Sequence, residues 1–150
     1  MDFFPESMRK EFAPVGRLDK DTEGLLLLTN DGVLAHNLLS PKKHVDKTYF
    51  AVLDGAVGQK EKELFLQGLD IGDVKQTLPA KLELTEKENE VFITVQEGRF
   101  HQVKRMAQAV GRKVTYLKRI SMGSLVLDKM LEKGEYRPLT EKEIIGLKNK

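Results

Sequence analysis

The chain has no cysteine and no tryptophan among its 150 residues. Without thiols there is no disulfide framework, no cysteine nucleophile and no cysteine-based zinc site. Histidine is scarce too: His36, His44 and His101 are scattered, so no bound metal is expected. Long apolar runs are missing as well. The longest near the start, Leu25-Leu26-Leu27-Leu28, is far too short to cross a bilayer, and no membrane partner is expected. The opening stretch carries Asp2, Glu6, Arg9, Lys10 and Glu11 with no apolar centre, which predicts no signal peptide and a cytoplasmic location.

What is present is a composition of 40% hydrophobic and 32% charged residues, that of one globular domain able to bury its own core. The formal net charge of +2 conceals a segregation. Residues Gly98 to Leu127 hold Arg99, Lys104, Arg105, Arg112, Lys113, Lys118 and Arg119 and not one acid. The remainder carries 18 basic against 23 acidic residues. Such a basic stretch suits a polyanion such as RNA. The plainer alternative is that its counter-charges arrive from elsewhere in the fold.

No repeat or linker divides the chain. The first fourteen residues read as a loop or short helix ending at Ala13-Pro14, and Leu25 to Thr29 as a short buried strand cut off by Asn30-Asp31-Gly32. Val33, Leu34, Asn37 and Leu38 fall at helical spacing, and Ser40-Pro41 stops that helix. Lys47 to Leu53 is rich in β-formers, and Lys60 to Gln67 reads as a helix stopped by Gly68. Two strands follow, Ala80 to Thr85 and Val91 to Gln96. Phe100 to Val110 reads as a helix with Val103, Met106, Ala107 and Val110 as its apolar stripe and His101, Lys104 and Arg105 opposite. Val114 to Ile120 and Ser124 to Leu127 are the last strands, and a Thr140-capped helix with Glu143 in the capping-box position closes the chain. The pattern predicts an α+β fold with a mixed, mostly antiparallel sheet and flanking helices.

Three segments concentrate chemistry-bearing residues. In Gly16-Arg17-Leu18-Asp19-Lys20-Asp21-Thr22-Glu23-Gly24, Asp19 is a candidate nucleophile or base, although Asp and Thr between glycines are also ordinary turn formers. In Glu97 to Arg105, Arg99 and Lys104 stand where a strand runs into a helix and could converge on an anion; a partly buried His101 among solvated cations is the plainer alternative. In Lys42-Lys43-His44-Val45-Asp46-Lys47-Thr48-Tyr49, the lysines suit phosphates and Tyr49 suits stacking on a base, or is simply a half-exposed strand residue.

In this order the segments resemble one family, the RsuA-like ribosomal RNA pseudouridine synthases. The central signature is GRLDKDTEGLLLLTNDG, Gly16 to Gly32, followed by a helix ending at Ser40-Pro41 and the Lys47-Thr48-Tyr49 element. Further matches are Glu97-Gly98-Arg99-Phe100-His101-Gln102-Val103-Lys104-Arg105-Met106, Leu117-Lys118-Arg119, Met122-Gly123 and the tail Gly134-Glu135-Tyr136-Arg137-Pro138-Leu139-Thr140. The resemblance implies a pseudouridine-synthase-type sheet and isomerisation of a specific uridine in ribosomal RNA, small-subunit RNA above all, without metal or organic cofactor. It implies Asp19 as nucleophile, Tyr49 packed on the target base and implicated in removing the C5 proton, and Lys104 as the cation paired with Asp19. Arg17 supports the loop or contacts RNA. The remaining expected RNA contacts are Lys42, Lys43, Lys47, Arg99, His101, Arg105, Lys118 and Arg119. The implied partner is ribosomal RNA or an assembling subunit.

Full-length members also carry an N-terminal S4-type RNA-binding domain and a strand containing Lys-Pro-x-Gly, neither of which matches this sequence. The expectation is therefore a catalytic domain spanning 1–150, truncated at its N-terminus, with weak, salt-sensitive RNA binding. An unfilled sheet edge inviting a homodimer is a second consequence. A catalytically silent paralogue that only binds RNA or the ribosome is the alternative reading.

Overall fold

The computed structural model describes residues 12–16, 18–99 and 101–148. Three two-residue strands, β1 (Ala13–Pro14), β2 (Glu23–Gly24) and β3 (Leu28–Thr29), precede helix α1 (Gly32–Leu39) and a short 3-10 turn at Pro41–Lys43. Then come β4 (Lys47–Leu53), α2 (Gln59–Gln67), β5 (Lys81–Leu84), β6 (Glu90–Val95), α3 (Gln102–Ala109), β7 (Val114–Met122), β8 (Leu125–Val126) and α4 (Glu141–Lys148). Six strands form one sheet in the order β2-β7-β4-β6-β5, with β8 also paired to β7. Only β2 and β7 run parallel. This is the mixed, mostly antiparallel α+β architecture expected.

Strict alternation builds the centre of the sheet. In β6, Val91, Ile93 and Val95 are buried while the residues between them are half-buried. They meet Val103, Met106 and Ala107 of α3 and Phe65 of α2 in the larger of two cores. The expected stripe of α3 is therefore the face it buries, with Val110 packed at the margin. The second core gathers Val15, Leu25, Leu27, Leu38, Val45, Met122, Leu125 and Leu147, tying the N-terminal segment to α1 and α4.

The apolar run Leu25 to Thr29 is not one strand. Glu23–Gly24 joins β7 and Leu28–Thr29 joins β1, so the run bridges two sheets. Gly24 makes this possible: with φ +109° it lies so close to β7 that a Cβ would sit 2.1 Å from the Arg119 carbonyl oxygen. Leu25 then donates its N–H to that carbonyl at 2.8 Å, and Val15 donates to Leu27 O at 2.7 Å.

Two ends also differ from expectation. Helix α3 starts at Gln102, because His101 takes the left-handed conformation (φ +46°) as its N-cap; Phe100 lies outside the described residues. Ala13–Pro14, expected in a loop or short helix, pairs as a strand, and residues 1–11 lie outside the description. At the other end the capping box forms: Glu143 accepts from the Thr140 N–H at 2.9 Å, and Thr140 Oγ1 accepts from the Glu143 N–H at 3.2 Å.

Candidate active site

One cleft draws on four separated parts of the chain: the loop between β1 and β2, strand β4, the turn from β6 into α3, and strand β7. Its walls include Asp19, Thr22, Lys47, Tyr49, His101 and Arg119. Strand alternation places Lys47 and Tyr49 on one face of β4. Pairing of Tyr49 with Arg119 in β7 and of Lys47 with Val95 in β6 continues that face across the sheet. The β4–β7 ladder slips by one residue between Thr48 and Tyr49, a bulge at the cleft floor.

Asp19 sits in a tight turn above this floor, its carbonyl accepting from the Thr22 N–H at 2.9 Å. Its carboxylate oxygens lie 3.5 Å from Lys104 Nζ and 3.5 Å from His101 Nε2. At that separation the lysine contact is an ion pair rather than a tight hydrogen bond. Lys104 makes its closest contact with Asp21. Partial burial works against the lysine's charge, yet the Asp21 hydrogen bond and the charge of Asp19 hold its pKa above the ordinary lysine value. The same contact holds Asp21 below the ordinary carboxylate value. Lys104 is thus a fixed cation between two acids. His101 reaches the site through its left-handed backbone, a conformation costing a non-glycine residue about 1–2 kcal/mol. Such strain recurs where geometry serves function.

A buried network sets the turn that carries these cations. Glu97, 5% exposed, accepts from the Leu78 N–H at 2.7 Å, from Gln102 Nε2 at 3.1 Å and from Arg99 Nε at 3.1 Å. Gln102 in turn accepts from the Arg99 N–H at 3.0 Å. Neither Glu97 nor Gln102 stands out in the sequence as a positioning residue. The spacing of Glu97, Arg99 and Gln102 across a strand-to-helix junction was the available signal.

The structure brings Asp19, Tyr49 and His101 together at one cleft, with Lys104 behind Asp19 at 3.5 Å, and it shows how the residues expected to contact RNA are engaged within the fold. Arg99 and Arg105 do not face outward as free phosphate ligands. Arg99 donates to Lys75 O at 2.6 Å and Gln76 O at 2.8 Å. Arg105 binds Asp73 at 3.0 and 3.2 Å and Ile71 O at 3.0 Å. Both clamp the loop before β5. Lys47 and Arg119 are each 3% exposed and lie inside the cleft, not on an outer surface. Lys118 is next to Arg119 in sequence, but alternation sends it to the opposite sheet face, where its pairing partner Phe50 packs on Phe92 and Tyr116. Lys42 and Lys43 are exposed in the 3-10 turn. Arg17 lies outside the described residues. The acid-free basic stretch is therefore partly neutralised from elsewhere, by Asp19, Asp21 and Asp73. Among the described residues no cluster of three metal-ligating side chains forms, and no helix is long and apolar enough to cross a membrane.

The family model described as RNA pseudouridylate synthase matches residues 2–109. An uncharacterized RNA pseudouridine synthase of Bacillus subtilis is 52% identical over 143 residues, covering 93% of this chain and 60% of that protein. The ribosomal small subunit pseudouridine synthase A of Escherichia coli K12 is 44% identical over 146 residues, covering 97% of this chain and 63% of its own length. The chain thus spans about 60% of the curated relatives it matches. A crystal structure of a pseudouridylate synthase superposes with a TM-score of 0.93 at 45% identity, covering 97% of this chain and 64% of that one. A chain of the archaeal box H/ACA Nop10–Cbf5 complex superposes at 0.54 with 19% identity, a likeness of fold alone; it covers 81% of this chain and 42% of its own.

Proposed function

The chain belongs to the RNA pseudouridylate synthase family, in its RsuA-like branch, and from that premise we propose that it is a catalytic domain isomerising one uridine of ribosomal RNA to pseudouridine. Small-subunit RNA is the proposed substrate, because relatives such as that of Haemophilus influenzae, 46% identical over 143 residues, act there by name. The observation that carries the reading is that Asp19, held 3.5 Å from Lys104, shares a single cleft with Tyr49.

The chemistry follows from that arrangement. A uridine in structured RNA must leave its stack before its sugar and base are reachable, and Tyr49 offers a ring against which the flipped base packs. Asp19 is the nucleophile toward C1′, with the Lys104 ammonium as its charge partner at 3.5 Å. Lys104 also holds Asp21, so its own position is doubly fixed. Exposed Lys42 and Lys43 are the proposed phosphate contacts. The proposed reaction rearranges the nucleotide with these side chains and draws on no cofactor. The proposed setting is cytoplasmic, on rRNA or an assembling subunit. A homodimer is proposed through β7, whose Val114 to Leu117 segment has no strand partner on its outer side among the described residues.

Incubation with rRNA from a strain lacking pseudouridine synthases, followed by chemical mapping, tests the reading. A single new pseudouridine made by the wild type and not by Asp19→Asn is the expected result. RNA binding with no Asp19-dependent product would leave a silent binding module instead.

A further inference from the structure

Two buried polar atoms in the same cleft have no hydrogen-bond partner among the described residues: Thr22 Oγ1 and Arg119 Nη2. Arg119 is 3% exposed, and its Nε donates to the Leu25 carbonyl at 2.8 Å. That bond accounts for anchoring the nucleophile-bearing segment to β7. It leaves the outer guanidinium nitrogen unexplained, and a buried orphan donor of this kind calls for a reason. Lys47 adds to the problem. It is equally buried, lines the same floor, and its ammonium finds only the Val45 carbonyl at 3.5 Å. Burial first, and the nearby Arg119 charge second, push its pKa below the ordinary lysine value. Two cations share a dry floor beside Tyr49, and neither forms an ion pair among the described residues.

The missing element is an oxygen acceptor that gains negative charge. We propose that Arg119, with Thr22 and Lys47 beside it, binds a carbonyl oxygen of the target uracil and stabilises the charge arriving there as the glycosidic bond opens. The proposal rests on the isomerase reading. When C1′–N1 breaks, the bonding pair departs with the base and spreads from N1 onto the carbonyl oxygens at C2 and C4. The C5=C6 pair then forms the new bond from C5 to C1′, displacing the Asp19 carboxylate that had bonded to C1′ as N1 left, while the N1 pair closes N1=C6. Loss of the C5 proton and gain of a proton at N1 restore the ring, and nothing else is consumed. A donor fixed before the charge develops stabilises it without reorganisation, which is the most effective electrostatic arrangement available to a protein. The depth of Arg119 favours a base oxygen over a backbone phosphate, which stays at the rim of such a site.

The test compares wild type with Arg119→Gln and Arg119→Lys in single-turnover conversion of saturating rRNA transcript, alongside RNA affinity and thermal melting. Arg119→Gln is expected to slow the bound-state step about a hundredfold or more, with RNA affinity unchanged and partial recovery in Arg119→Lys. An unchanged rate overturns the proposal. So does weaker RNA binding with an intact bound-state rate, which would mark a phosphate contact. A rate loss that tracks a lowered melting temperature and vanishes on cooling would mark a purely structural clamp, and also overturns it. If wild type makes no pseudouridine on any rRNA, the isomerase reading fails by itself. The site is then judged by titration with 5-nitrouracil, anionic at neutral pH, against neutral uracil. Tighter binding of the anion by wild type but not by Arg119→Gln upholds the site; equal binding, or none, overturns it.

Discussion

Replacing Glu97 with alanine removes the acceptor for three donors at once. The Leu78 N–H and Gln102 Nε2 are left without the partner they hold at 2.7 and 3.1 Å, and Arg99 loses its contact at 3.1 Å. Arg99 keeps carbonyl partners at Lys75 and Gln76, so its loss is the smallest. Gln102 is 5% exposed and cannot turn to water without opening the start of α3. Each buried donor left unsatisfied costs about 1–3 kcal/mol, so Glu97→Ala is expected to cost about 3–4 kcal/mol in all. With a urea slope of about 2 kcal/mol/M for a small domain, the unfolding midpoint falls by about 1.5–2 M. The double variant Glu97→Ala, Gln102→Leu removes the Gln102 Nε2 orphan but also takes away the acceptor of the Arg99 N–H at 3.0 Å, so it is expected to be about as stable as the single variant. Because the network sets where His101 and Lys104 emerge, activity measured well below the melting transition should also fall. A midpoint shift below about 0.5 M for Glu97→Ala would refute the network's assigned weight.

Gly24→Ala should cost at least about 3 kcal/mol, because the added Cβ meets β7 backbone at 2.1 Å and φ is +109°. Gly72→Ala is the control: its φ is +94° but nothing lies within 4 Å, so only the conformational cost of about 1–2 kcal/mol is expected in urea unfolding. Lys104→Ala should lower single-turnover pseudouridine formation about a hundredfold, whereas Lys104→Arg retains most activity if charge, more than shape, is what Asp19 requires. Acid stability is the fourth case. The hydrogen bond from Arg137, aided by the Thr140 N–H, holds Glu143 at a pKa of about 2, well below the ordinary carboxylate range. A depressed folded-state pKa gives stability present above the unfolded value and lost as pH falls toward the folded one. Docking of α4 should therefore weaken between about pH 5 and pH 2, and Glu143→Gln should flatten that part of the stability profile.

Much of the site was legible before any coordinates. Asp19, Tyr49 and Lys104 come from three segments whose residue types and order carry the family resemblance; Asp19 and Tyr49 line one cleft, and Lys104 lies 3.5 Å from Asp19. The apolar stripe of α3 followed from helical period alone, because a helix on a sheet must bury one face. The placement of Lys118 and Arg119 on opposite faces was within reach of the same reasoning. Tyr116 to Ile120 is a strand, and its period of two separates neighbours. Other features were out of reach. Arg99 and Arg105 resemble phosphate ligands until Asp73 is seen to hold both, and Asp73 lies in a loop with no periodic signal. His101 lacked any indication of its left-handed backbone, which is what turns its ring to Asp19.

The division has a physical basis. Local spacing determined which residues lie in most of the helices and strands and which faces they bury, since these depend on neighbours within a few positions, while the proposed role of Asp19 came from the family resemblance of Gly16 to Gly32. Tertiary structure decided which charges face each other. Lys104 and Asp19 are 85 positions apart, and whether a cation serves an acid, clamps a loop or lies unpaired on a cleft floor depends on contacts between distant elements. The net charge, the motif and the strand pattern are all visible in one dimension. The unpaired nitrogen of Arg119 is not: it exists only because Gly24 lets β2 close on β7 and the Leu25 carbonyl takes up Nε alone.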